Sequence, residues 1–75
     1  MYTPSEKDQN QIQRSFTYHA PKENQVPRYE MFRAAARDLA GKFVTNAPAS
    51  RELSLALTKL EEAVMWANAA IARNE

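Results

Sequence analysis

Residues 50–75 read SRELSLALTKLEEAVMWANAAIARNE, and their apolar side chains recur with a helical period. Leu53, Leu57, Leu60, Val64, Ala67 and Ile71 are separated by 4, 3, 4, 3 and 4 residues, which traces one face of an α-helix and fits a strand poorly. At about 100° per residue, Leu55 and Trp66 project roughly opposite that stripe, in line with Glu62 and Arg73. Ala56, Ala63 and Ala70 form a third row between the two faces. A surface helix needs one apolar stripe, whereas a helix apolar over more of its circumference is covered by more than one neighbour. In so short a chain, the expected second neighbour is another copy of the protein.

Upstream, Asn46-Ala47-Pro48-Ala49-Ser50 reads as a turn, with Pro48 interrupting one helix and Ser50 capping the next. Before it, Tyr29, Phe32, Ala36, Leu39 and Phe43 recur at 3, 4, 3 and 4. This spacing predicts a helix over about residues 25–45, with Pro27 in its first turn, Asn24 as its cap and Gly41 inside it. Two seams joined by so short a turn are antiparallel neighbours. The expected fold is all-α: an antiparallel helical hairpin with an extended N-terminal aromatic arm, assembling into a homo-oligomeric helical bundle. The arm takes residues 1–21 and the hairpin 22–75, divided into a helix at 25–45, a turn at 46–50 and a helix at 51–74.

Composition agrees with assembly. The chain has 75 residues, no cysteine and one histidine. That excludes disulfides, thiolate metal sites and an all-histidine metal site within one chain, so no metal or cofactor is expected. Below about 70–80 residues a lone core supplies only about 3–5 kcal/mol, and oligomerisation is the support that remains. Ten Lys/Arg against nine Asp/Glu give a net charge of +1, too balanced for a protein whose main partner is long nucleic acid. A few local cations aimed at a small anion are still compatible with it. No apolar run approaches the roughly 20 residues of a membrane span and no signal-peptide pattern opens the sequence, so no membrane partner is expected. The lack of cysteine fits a reducing cytoplasm.

In the arm, Phe16 and Tyr18 alternate with Thr17 and His19 before Pro21, which suits an extended segment carrying both rings on one side. Two roles are open: a hydrophobic clip laid across the helices, or an aromatic arm whose Tyr18 stacks on a flat ligand such as a nucleobase. Residues 1–14 are polar, with Ile12 the only aliphatic residue after Met1 and a capping-box pattern at Ser5 and Asp8. A short helical turn or a disordered segment awaiting a partner are the two outcomes.

Arg33 and Arg37 flank the apolar stripe of the first helix. They are either a solvated edge pairing with Glu30, Asp38, Glu61 or Glu62, or cations held over a cleft for phosphate. Asn68 lies about 60° from the core stripe of the second helix and could fix oligomer register through an interhelical hydrogen bond. Arg73, in the last turn, suits the negative end of the helix dipole. No glycine-rich phosphate loop, nucleophile–base pair or metal-ligand spacing is present in the sequence, so no enzyme is expected.

The motif Phe16-x-Tyr18-His19-x-Pro21-Lys22, then Arg28-Tyr29-Glu30 with Arg33, and the block from Pro48 to Arg73 resemble the hairpin domain of the phage anti-CBASS and anti-Thoeris sponge proteins. The resemblance implies sequestration, without cleavage, of the cyclic di- and trinucleotide signals of bacterial antiviral defence in the cytoplasm of the infected host cell. It implies homohexamers with ligand pockets shared between protomers. Tyr18 matches the family's stacking tyrosine and Arg33 falls where the family places a phosphate-binding Lys or Arg. Asn68 and Arg73 lie in the helix that lines the pocket, and Phe16 and His19 join Tyr18 as ligand candidates. Leu55 and Trp66 are the expected oligomer interface. The competing reading is a protein-interaction module that docks a partner on the Leu55/Trp66 face.

Overall fold

The computed structural model describes residues 2–75; Met1 lies outside the described residues. Three helices follow one another, α1 (Glu6–Phe16), α2 (Val26–Asn46) and α3 (Arg51–Asn74), and no strand occurs among the described residues. The start of α3 is capped by Ser50, whose Oγ accepts the Leu53 N–H at 3.1 Å. Glu52 sits in its first turn and Arg73 in its last, each at the helix end whose partial charge it complements.

Helix α2 carries Pro27 in its first turn and runs unbroken through Gly41. It ends at Ala47, whose N–H returns to the Phe43 carbonyl at 2.9 Å. The cap expected from Asn24 is not formed. Gln25 occupies the N-cap position with no side-chain cap. It is already helical (φ −90°, ψ −35°), where a capping Asn would need extended backbone. Asn24 instead offers its backbone oxygen to Arg28 Nε at 3.3 Å.

The seam between α2 and α3 is antiparallel and half-buried. All six expected α3 positions, Leu53, Leu57, Leu60, Val64, Ala67 and Ile71, lie on it. They face Tyr29, Phe32, Ala36, Ala40 and Phe43 of α2. Leu39 is the exception, remaining 40% exposed at the seam's edge. A straight helix drifts about 20° per heptad against a strict 3–4 repeat, and after two turns Ala40 has taken the facing position.

The hairpin closes no core of its own. Among the described residues no hydrophobic side chain is fully buried, and the molecule measures 50 × 37 × 13 Å, one helix thick in its shortest direction. Its surface is 6356 Å², where a compact monomer of this mass exposes about 4,700 Å². The radius of gyration is 16.8 Å, against about 11 Å for a compact domain of this length.

At the N-terminus, Ser5 Oγ accepts the Asp8 N–H at 3.1 Å, and the turn suggested by those two residues extends to a helix of 11 residues. That helix takes Phe16, which the alternating pattern had placed on an extended segment beside Tyr18. Ile12 and Phe16 are four apart on one helical face, and Arg14 in the last turn favours continuation. Extended backbone begins only at Thr17 (φ −104°, ψ 137°). Two contacts fold α1 back: Arg14 Nη1 donates to Asn74 Oδ1 at 3.1 Å and His19 Nε2 donates to the Arg14 carbonyl at 2.8 Å.

Candidate functional site

Antiparallel packing brings Arg33, in the first half of α2, across from Asn68, near the end of α3. They border an open groove of about 600 Å³, walled by Ala36, Arg37 and Ala40 of α2 and by Leu57, Leu60, Glu61, Val64 and Met65 of α3. The same two residues also line an adjoining recess of about 260 Å³, completed by His19, Pro21, Tyr29, Ala69 and Ala72. Arg33 and Asn68 therefore stand where the two spaces meet, with His19 on the far wall.

The electrostatics of this corner are unbalanced. The pairings that the sequence offered Arg33 and Arg37 do not form among the described residues. Asp38 binds Lys42 at 3.3 Å and Glu62 binds Lys59 at 3.6 Å, each within its own helix. Two guanidiniums thus border the groove with one carboxylate, Glu61. The interhelical bond envisaged for Asn68 is also missing: its Oδ1 is buried and has no hydrogen-bond partner. An unpaired buried acceptor costs about 1–3 kcal/mol, and a ligand donor there would recover that cost.

Other candidates lie elsewhere in the chain. Tyr18 and Phe16 are each 84% exposed, and Tyr18 projects from the connection next to His19 without lining the groove. Arg73 stands 5.9 Å over the Trp66 ring. It lines a separate recess of about 270 Å³ together with Gln11, Arg14 and Asn74. One chain therefore does not bring Arg33 and Arg73 to a common ligand, because five residues along a helix turn Arg73 about 140° away from Asn68. Leu55 and Trp66 are 43% and 61% exposed on that other side.

Sequence reading missed a polar cluster behind the recess. Gln25, 2% exposed, is the only fully buried residue among those described. Its Oε1 accepts from the Lys22 N–H at 3.0 Å and its Nε2 donates to Glu75 Oε1 at 3.3 Å. Arg28 donates to both carboxylate oxygens of Glu75. That hydrogen-bonded guanidinium draws the Glu75 carboxyl from about 4.5 down to about 2, with the Gln25 amide helping and partial desolvation opposing. Tyr29, placed on the seam by its spacing and quoted in the Arg28-Tyr29-Glu30 motif, also forms part of the recess wall. No local period links residues 22–28 to residue 75, so nothing short of the fold announces the cluster.

The family described as Acb2/Tad1, hairpin domain, matches residues 8–72 of this chain. The match begins inside α1, upstream of the Phe16 start of the motifs that carry the sequence resemblance. No curated protein and no solved structure matches the chain.

Proposed function

This chain belongs to the Acb2/Tad1 hairpin-domain family, the anti-CBASS and anti-Thoeris sponges, and from that premise we propose that it sequesters cyclic di- or trinucleotide signals without cleaving them. Its place of action is then the cytoplasm of an infected bacterium, where signals held by the protein no longer activate the antiviral defence. Among the described residues no helix is long and apolar enough to cross a membrane.

The observation that carries the reading is the Arg33–Asn68 corner: an arginine with no ion-pair partner among the described residues beside a buried acceptor with no donor. A cyclic oligonucleotide offers both complements, a phosphate for the guanidinium and a ribose hydroxyl or base N–H for the amide oxygen. Arg37 adds a second cation on the same edge. Tyr18, exposed next to His19, supplies an aromatic face for a base once the connection closes over the groove.

The pocket is shared in this reading. The groove is open on one side, whereas small-molecule sites enclose most of their ligand within about 300–1,000 Å³. A second protomer supplies the missing wall. The surface in excess of a compact monomer and the exposed Leu55 and Trp66 support a homo-oligomer, a hexamer by family. Arg73 then reaches a ligand from a different protomer than the one contributing Arg33. Stacking is worth about 1–3 kcal/mol per base and each charge-assisted bond about 1.5–3. Two of each give a gross of roughly 5–12 kcal/mol, so nanomolar binding near −12 kcal/mol requires a largely preformed pocket.

Calorimetric titration with a panel of cyclic di- and trinucleotides tests the function, with recovery of the bound compound by chromatography after heating. Tight binding of at least one and its return intact is the expected result. Linear products in proportion to protein would make it an enzyme. Indifference to the whole panel would hand the Leu55/Trp66 face to the adaptor reading.

A further inference from the structure

The only fully buried residue among those described is a glutamine, in a hairpin with no buried apolar core. Gln25 is also the hinge at which the N-terminal segment joins α2. Its backbone N–H closes a turn on the Lys22 carbonyl at 2.9 Å, and its amide oxygen accepts the Lys22 N–H at 3.0 Å. The turn is therefore pinned to Gln25 from both directions.

Glu75 then ties this turn to the far end of the other helix. It accepts from Gln25 Nε2 at 3.3 Å and from both terminal nitrogens of Arg28. Its backbone oxygen accepts from Lys22 Nζ at 2.8 Å. These partners lie 47 to 53 residues from Glu75 in the chain. The other ion pairs among the described residues join neighbours on one helix, whereas this cluster joins the turn at residues 22–28 to the far end of α3.

We propose that Gln25 and Glu75 are positioning residues, a polar latch that holds the 17–25 connection so that His19 walls the recess at the Arg33–Asn68 corner and Tyr18 beside it is placed to close over that corner. Neither touches that corner. Gln25 meets Tyr29, whose hydroxyl lies 3.5 Å from its amide oxygen and which walls the recess beside His19 and Arg33. The latch sits one residue behind the site. It acts on the fraction of molecules whose arm is competent to close, and the apparent dissociation constant scales inversely with that fraction. The inference rests on the nucleotide-binding reading for its consequence, although the latch itself is testable without ligand.

The test compares wild type with Gln25→Leu and with the milder Glu75→Gln. Hydrogen exchange of the ligand-free proteins comes first. The hydrogen-bonded amides of the turn, Gln25 N–H in both variants and Lys22 N–H in Glu75→Gln, should exchange at least about tenfold faster, while seam amides at Leu57–Val64 keep their wild-type rates, which also shows that the hairpin is folded. Stopped-flow binding of a cyclic dinucleotide should then show association slowed about three- to tenfold with dissociation unchanged, as a smaller competent fraction requires. Unchanged exchange at these two amides overturns the latch, whether or not any nucleotide binds. Faster dissociation with normal association overturns it too, because that is the signature of a lost ligand contact. If wild type binds no nucleotide, the functional reading fails, and the exchange comparison alone decides the latch.

Discussion

Two sides of the hairpin leave opposite kinds of demand unmet. On one side, Arg33 and Arg37 lack ion-pair partners among the described residues and Asn68 Oδ1 lacks a donor. On the other, Leu55 and Trp66 expose apolar surface, 43% and 61% of each residue. A missing hydrogen-bond donor and a missing anion are met by a small polar molecule. A missing apolar contact is met by another protein surface. If the proposed function holds, the difference separates ligand binding from assembly, and substitutions on each side should split the two properties.

The largest expected effect is on the apolar side. In a lone chain the Trp66 ring has little to lose on truncation, but buried against a neighbouring copy its replacement by alanine costs about 3–5 kcal/mol. Light scattering of Trp66→Ala should therefore report a smaller particle than wild type, or one that melts well below it. Wild-type protein that is monomeric at micromolar concentration would break the comparison at its root, since neither side would then be completed by a copy.

On the polar side, Arg33→Ala removes a charge-assisted bond worth about 1.5–3 kcal/mol, a loss of roughly 10- to 150-fold in cyclic-dinucleotide affinity. Tyr18→Ala should lose about 1–3 kcal/mol of stacking, and Tyr18→Phe little. Particle mass should survive all three changes, as neither residue shares the Trp66 side. Calorimetry that finds both alanine variants binding like wild type would remove these residues from the site.

What could be read in the sequence was what repeats locally. The 3–4 spacing of Leu53 to Ile71 located the seam of α3, and Ser50 marked its start, because both signals lie within one element. Leu39 misled by a single residue, since helical drift accumulates where a strict heptad does not. Phe16 misled because alternation over four residues carries less weight than a capped helix arriving from upstream. Arg33 and Asn68 could be nominated separately, and only antiparallel packing shows that they meet. Arg73 was nominated with them, but its angular position on the same helix sends it to the Trp66 side. The Gln25–Glu75 cluster gave no sign at all, its members being separated by almost the whole hairpin.

A smaller effect sharpens the boundary between the two sides. Gly41 sits within α2, and a Cβ built on it meets nothing within 4 Å. With open space there, Gly41→Ala should stabilise the protein by about 0.8–1 kcal/mol through helix propensity alone, seen as a higher melting temperature with ligand affinity unchanged. A lower melting temperature or a smaller particle would instead place a neighbouring copy against that stretch of α2 and extend the assembly surface toward the Arg37 edge.

The smallest effect belongs to the ion pair that closes the hairpin's open end. Arg28 and Glu75 have side chains 36% and 39% exposed, so solvent screens them and the pair adds little to stability. Its sign is nonetheless fixed. The Arg28 guanidinium lowers the Glu75 carboxyl from about 4.5 to about 2. A depressed carboxyl contributes stability that is fully present above about pH 4.5 and is lost as the pH falls toward 2. Other carboxylates titrate over the same window, so the melting temperature of wild type alone would not isolate it. The difference between wild type and Glu75→Gln does. It should favour wild type at pH 7, shrink below about pH 4.5 and vanish near pH 2, while the Trp66 and Arg33 variants should show no such convergence. A difference that stays constant across that range would mean that Glu75 acts by hydrogen bonding alone, which Gln preserves only in part, and that its charge contributes nothing to holding α2 and α3 together.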